Sequence, residues 1–173
     1  MRQLVILVLV LSAVSATEVR GQFDNDRTRS TLAGLPGVPV EVGLTTSPEC
    51  AKVNRYSLRT AGELALRRDG INAPTMEESD SIPGVPWLAL LVITAPTGAE
   101  YTRAGCAFFV ELALLQGTRL IRNEEIVAPN AVTWSAGPIL GVSSLDQYDD
   151  AIMDVARDMF DQFVNAYLAA NPR

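Results

Sequence analysis

Residues 87–95, WLALLVITA, are a run of apolar residues broken by Thr94 alone and held between Pro86 and Pro96. The run is too short to cross a bilayer as a helix, which takes roughly 20 residues. Closed by prolines at both ends, it has the pattern of a strand buried on both faces. A Gly-containing turn leads into TRAGCAFFVELALLQGTRLI, where Cys106, Phe108, Val110, Leu112 and Leu114 share one face and Phe109, Glu111, Ala113 and Leu115 share the other. The two runs predict a β-hairpin over 87–117 that is apolar on both sides. A chain with such a hairpin must cover two sheet faces, or leave one for something else.

The remaining segments supply the cover. Val38, Val40, Val42 and Leu44 alternate with Pro39, Glu41, Gly43 and Thr45, which predicts a strand with one buried face. Thr46, Ser47 and Pro48 open a helix over 50–69, with Leu58, Ala61, Gly62 and Ala65 inward and Leu64 at their edge. Arg59, Glu63 and Arg67 form an i, i+4 ladder outside, and Asp69-Gly70 stops the helix. Residues 72–86, with three prolines and an acidic cluster, read as a surface loop. A fourth strand is expected over 131–140, with Val132, Trp134 and Ala136 on one face. The fold class is therefore α+β: a mostly antiparallel four-stranded sheet with two helices packed on one face. Two helices on one face leave Leu91, Ile93, Phe109 and Leu115 in need of cover. The loop 72–86 can fold over them; otherwise they form an apolar patch of the kind that marks partner surfaces.

The last helix carries the most suggestive chemistry. Residues 146–163, DQYDDAIMDVARDMFDQF, hold six aspartates. With Ser143 or Ser144 as cap, a helix from Leu145 gathers Leu145, Tyr148, Ile152, Val155, Ala156, Met159, Phe163 and Ala166 in one arc. The aspartates fall opposite, with Arg157 among them. Asp149-Asp150 begins like a diphosphate-binding DDxxD motif, but Met153 stands where its third Asp belongs. The row reads as the solvated side of a helix.

Other chemistry is scarcer still. The chain has no histidine and one lysine, Lys52, which excludes Ser–His–Asp and Cys–His catalysis and removes the commonest metal ligand. Nucleophile-elbow, Cys-x-x-Cys and glycine-rich phosphate motifs are absent. Asp24-x-Asp26-x-Thr28 opens like a calcium loop, but Arg29 replaces its glycine and Leu35 its bidentate glutamate. No catalytic, cofactor or metal site is assigned. A carboxylate pair can hydrolyse glycosides, and Glu111 near Trp134 is where a pocket of that kind would lie. Trp87 and Trp134 otherwise read as core.

Location is clearer. Arg2, the apolar stretch Leu4–Val14 and Val-Ser-Ala at 14–16 have the order of a secretory signal peptide, cut after Ala16 or nearer Gly21. Residues 17–36 read as a flexible tether and 37–173 as a single domain. Loss of Arg2 with the signal leaves 13 basic against 20 acidic residues, a net charge of −7, which disfavours nucleic acid and anionic membrane surfaces. No later run spans a membrane. Cys50 and Cys106 are either a disulfide, as expected of an exported chain, or two buried thiols.

Three stretches, VPVEVGL at 38–44, LALRRDGI at 64–71, and TW at 133–134 with FDQFVNAYLAANP at 160–172, give the chain a resemblance. It is similar to the TolB N-terminal domain and to uncharacterised exported bacterial proteins. The resemblance implies work by protein contacts in the envelope. The expectation is an exported, periplasmic or extracellular, non-catalytic domain binding another envelope protein or itself, without cofactor. The alternative is a small-ligand binder or carboxylate-dependent hydrolase.

Overall fold

The computed structural model describes residues 24–80, 85–98 and 105–172. The expected signal peptide and residues 17–23 of the expected tether lie outside them. The element order is α1 (Asp26–Arg29), a 3-10 turn (Ser30–Leu32), β1 (Val40–Thr45), a 3-10 turn (Pro48–Cys50), α2 (Arg55–Arg68), α3 (Met76–Asp80), β2 (Trp87–Thr97), β3 (Gly105–Leu120), β4 (Asn123–Ser144) and α4 (Tyr148–Ala170).

The strands form one sheet in the order β1-β2-β3-β4. The expected hairpin is present: β2 and β3 run antiparallel from Trp87 opposite Leu115 to Thr97 opposite Gly105. The sheet is mixed, however, and not mostly antiparallel. β1 pairs parallel with β2, Val40 beside Leu88 through Thr45 beside Ile93. The cause is connectivity: α2 carries the chain back along the sheet between β1 and β2, and a crossover through a helix returns the next strand in the same direction.

Both long helices lie on the same side. α2 packs on β1, α4 on β3 and β4, and the helices on each other. Val40, Val42, Leu88, Leu90, Val92, Val110, Leu112, Leu114 and Trp134 point into this layer and are buried with Leu58, Leu66, Ile152, Met159 and Phe163. Each fully buried side chain of this size stabilises by about 1.5–3 kcal/mol relative to exposure.

α2 starts where Asn54 accepts from the N–H groups of Tyr56 and Ser57. It ends in a Schellman motif. Gly70 takes a left-handed φ of 76°, its N–H donates to Arg67 O, and the Ile71 N–H donates to Leu66 O. The buried Ile71 then sits against Leu66, which explains why the arginine-rich turn is followed by Gly-Ile. The charge ladder is half made: Arg67 bonds Glu63 at 3.2 Å, but Arg59 turns to Glu41 on β1 at 2.8 Å.

α4 begins at Tyr148 without a side-chain cap, because β4 runs on through Ser144 and consumes the expected capping serines. Its buried face holds Phe160 and Val164 beside Tyr148, Ile152, Ala156, Met159, Phe163 and Ala166 of the expected arc, whereas Val155 is half-buried and Leu145 lies ahead of the helix, since the helix is wedged between the sheet and α2. Phe160 fills the space above Gly62, where a Cβ would lie 2.5 Å from the ring.

Residues 24–36 are folded onto the body and do not form the expected tether. Asp24 makes a bidentate ion pair with Arg29 at 2.8 and 2.9 Å, Leu32 is buried in the core, and Asn171 donates to Leu32 O while accepting from the Gly34 N–H. Polar residues here serve as caps and clamps: Asn25 and Thr28 form a capping box. Cys50 and Cys106 form a disulfide with Cα atoms 6.2 Å apart, tying the turn before α2 to the start of β3. The segment 72–86 holds α3, where Thr75 and Glu78 cap each other.

Candidate functional site

With both long helices on one side, the other face of the sheet is left uncovered by the described residues. Its residues follow from register. One row across β2, β3 and β4 is Ile93, Phe109 and Leu140; the next is Ala95, Ala107 and Val142; on the other side come Leu91, Glu111 and Pro138, and further on Trp87, Leu115 and Val132. Leu91 is 38% exposed, Ile93 41%, Val132 55%, Val142 70% and Leu140 78%; Phe109 and Leu115 are half-buried. The described part of segment 72–86 leaves Leu91 and Ile93 open. The four residues singled out in the sequence thus share this face. Val132, Leu140 and Val142 were missed as members, although Pro138, Leu140 and Val142 stand at period two. The expected strand stopped at 140, and bulges at Thr133 and Ala136 shift the register, the first turning Val132 to the face opposite Trp134.

Between the small side chains of Ala95 and Ala107 the face is hollowed. Ile93, Phe109, Leu140 and Val142 rim an open, almost wholly apolar depression of about 520 Å³. Large side chains around small ones leave a shallow apolar concavity. Glu111 is the one ionisable residue among the outward positions of the stretch where β2 and β3 pair, Trp87–Thr97 with Gly105–Leu115.

The pocket expected from Glu111 and Trp134 does not form. Trp134 pairs with Leu114 and points into the core, edge-on to Phe163 at 5.2 Å, whereas Glu111 points out on the opposite face. Trp87 is half-buried on the outer face, so only Trp134 is core. The aspartate row faces water along α4, with Asp149 half-buried and the other five exposed. Asp154 pairs with Arg157 at 3.1 Å and Asp161 with Arg68 at 3.0 Å. The hydrogen bond to Asp161, and then that to Asp69, hold the Arg68 guanidinium above its ordinary pKa. Among the described residues no cluster of three metal-ligating side chains occurs, and no helix is long and apolar enough to cross a membrane. Asp24, first residue of the calcium-like stretch, is held by Arg29 and by the Trp134 indole N–H at 3.2 Å.

No family model and no curated protein sequence matches the chain. Among solved structures it is similar to a PelC dodecamer from Paraburkholderia phytofirmans, at 17% identity over 78% of this chain and 90% of that one, with a TM-score of 0.44. It is similar also to the rare lipoprotein B from Shewanella oneidensis, at 15% identity over 75% and 91%, TM-score 0.29, and to a minor lipoprotein from Acinetobacter baumannii, at 10% identity over 75% and 91%, TM-score 0.30. None of these three is a TolB domain. At such identities and scores the likeness is one of outline and says nothing of what this chain binds.

Proposed function

We propose that this chain is an exported, non-catalytic α+β module of the cell envelope that works by protein contact through the outer face of its sheet. The observation that carries the reading is the uncovered apolar surface running across β2, β3 and β4, with Leu140 and Val142 more than two-thirds in solvent. Monomers rarely leave contiguous apolar surface of that kind without use. The buried disulfide supports export, since such bonds persist outside reducing compartments. The hydrolase alternative loses its pocket, because Glu111 and Trp134 stand on opposite faces.

Native mass spectrometry of the protein isolated gently from the envelope tests the reading. Wild type is expected to carry a protein partner or a second copy, and the exposed substitution Leu140→Asp to strip it. Extra mass in the form of a small molecule, or identical bare monomers for both proteins, contradicts it.

A further inference from the structure

The hairpin of β3 and β4 is longer than the sheet that holds it. β2 stops pairing at Trp87 opposite Leu115, whereas β3 continues to Leu120 and turns back at Ile121 and Arg122 into β4. The two strands therefore project as an arm with no third strand beside it among the described residues. An isolated two-stranded ribbon is marginally stable in water and gains by packing on something. The arm exposes bulky side chains: Ile121 at its tip is 100% exposed, Val127 54% and Ile126 44%.

The chain thus carries a knob and a hole. The knob is Ile121. The hole is the depression floored by Ala95 and Ala107. They lie toward opposite ends of the same strand: from Ala107 to Leu120 along β3 is on the order of 40 Å at about 3.3 Å per residue. The arm and the depression point away from each other along one sheet, so the knob of one molecule is out of reach of its own hole.

Charge argues in the same sense. Glu111 lies near the middle of the outer face. Two copies stacked face to face about a twofold axis through that region bring two carboxylates together, which is destabilising in an apolar contact. The arm brings Arg119 and Arg122 beside its knob, with Glu124 and Glu125 on the returning strand toward the far side of the turn.

We infer that the occupant of the outer face is the hairpin arm of a second copy of this chain, Ile121 seating in the Ala95–Ala107 depression in a head-to-tail contact. The inference rests on the outer face being the contact surface. Such a contact is heterologous: each copy uses both its ends, and assembly continues past the dimer until a ring closes or a filament grows.

Sedimentation of the full exported chain, raised to about 100 μM so that weak association is seen, tests this with two variants of exposed residues. Ile121→Asp removes the knob and keeps the hole; Leu140→Asp spoils the rim and keeps the knob. Wild type is expected to assemble beyond a dimer, and each variant alone to associate at least about tenfold more weakly. An equimolar mixture of the two is expected to form a one-to-one dimer and stop, since one intact knob meets one intact hole. A wild type that stays monomeric overturns the inference. A dimer that survives Ile121→Asp but not Leu140→Asp overturns the role of the arm and leaves the outer face as the contact surface. Association unaffected by either variant removes both.

Discussion

The indole N–H of Trp134 on β4 donates to the carboxylate of Asp24, the first described residue, at 3.2 Å. The same carboxylate grips Arg29 through both oxygens, so one aspartate closes the N-terminal segment over the core. The paired carboxylate holds the Arg29 guanidinium above its ordinary pKa, through the hydrogen bond first and the charge second. Asp24→Ala is expected to cost about 1–3 kcal/mol by stripping a buried indole of its acceptor. Asp24→Asn, which keeps a carbonyl oxygen for Trp134, is expected to cost less. Urea unfolding followed by tryptophan fluorescence measures both; equal losses contradict the role given to the indole.

Gly62 lets α2 approach α4 more closely than any other residue permits. Gly62→Ala raises helix propensity by up to about 1 kcal/mol, yet its methyl meets the Phe160 ring, and overpacking costs roughly 1–3 kcal/mol. The expected net result is destabilisation in thermal unfolding, largely relieved in the double variant Gly62→Ala/Phe160→Leu. Additive losses in the double variant contradict direct contact as the cause.

The Cys50–Cys106 bridge closes a long loop, its cysteines 56 positions apart. Replacing both with serine is expected to lower stability by about 2–5 kcal/mol. Both residues are fully buried, so alkylation of the native protein is expected to label nothing, and mass analysis after denaturation without reductant to find no thiol. One labelled cysteine is enough to contradict the bridge.

Two exposed carboxyls titrate low. The Thr75 backbone N–H, and then its hydroxyl, hold Glu78 below the usual glutamate range; the Ser144 hydroxyl and the Asp146 backbone do the same for Asp146. Because the folded pKa is depressed, each contribution to stability is complete above the unfolded pKa and is lost as pH falls through the folded one. NMR titration is expected to give lower midpoints in the folded than in the urea-unfolded chain. Thr75→Ala should move the Glu78 midpoint upward and leave Asp146 unchanged.

The strongest periodicities told most about this fold. Alternation along β2 and β3 identified the hairpin and its two faces, and the arc from Tyr148 to Ala166 identified α4. Strand direction was harder to read: VPVEVGL says that β1 is a strand with one buried face, and only the helix between it and β2 says that the pair is parallel. Phe160, Val164 and Leu66 were missed because a helix between two neighbours buries a wider arc than one apolar stripe. Residues 24–36 looked unstructured because their ordering comes from hydrogen bonds to Trp134 and Asn171, more than a hundred positions away, and such pairings leave no local pattern. The apolar outer face was half legible: Leu91, Ile93, Phe109 and Leu115 follow from alternation, whereas Leu140 and Val142 depend on a bulge that composition does not announce.

Protein contact through the outer face of the sheet requires crosslinks there and none on the solvent side of α4. A photo-crosslinking amino acid placed at Leu140, and in parallel at Asp154 on the wet side of α4, tests this in living cells. Protein adducts at 140, lost when Ile93→Asp is added, and none at 154 are the predicted result. Equal labelling at the two positions, or none at either, contradicts the account.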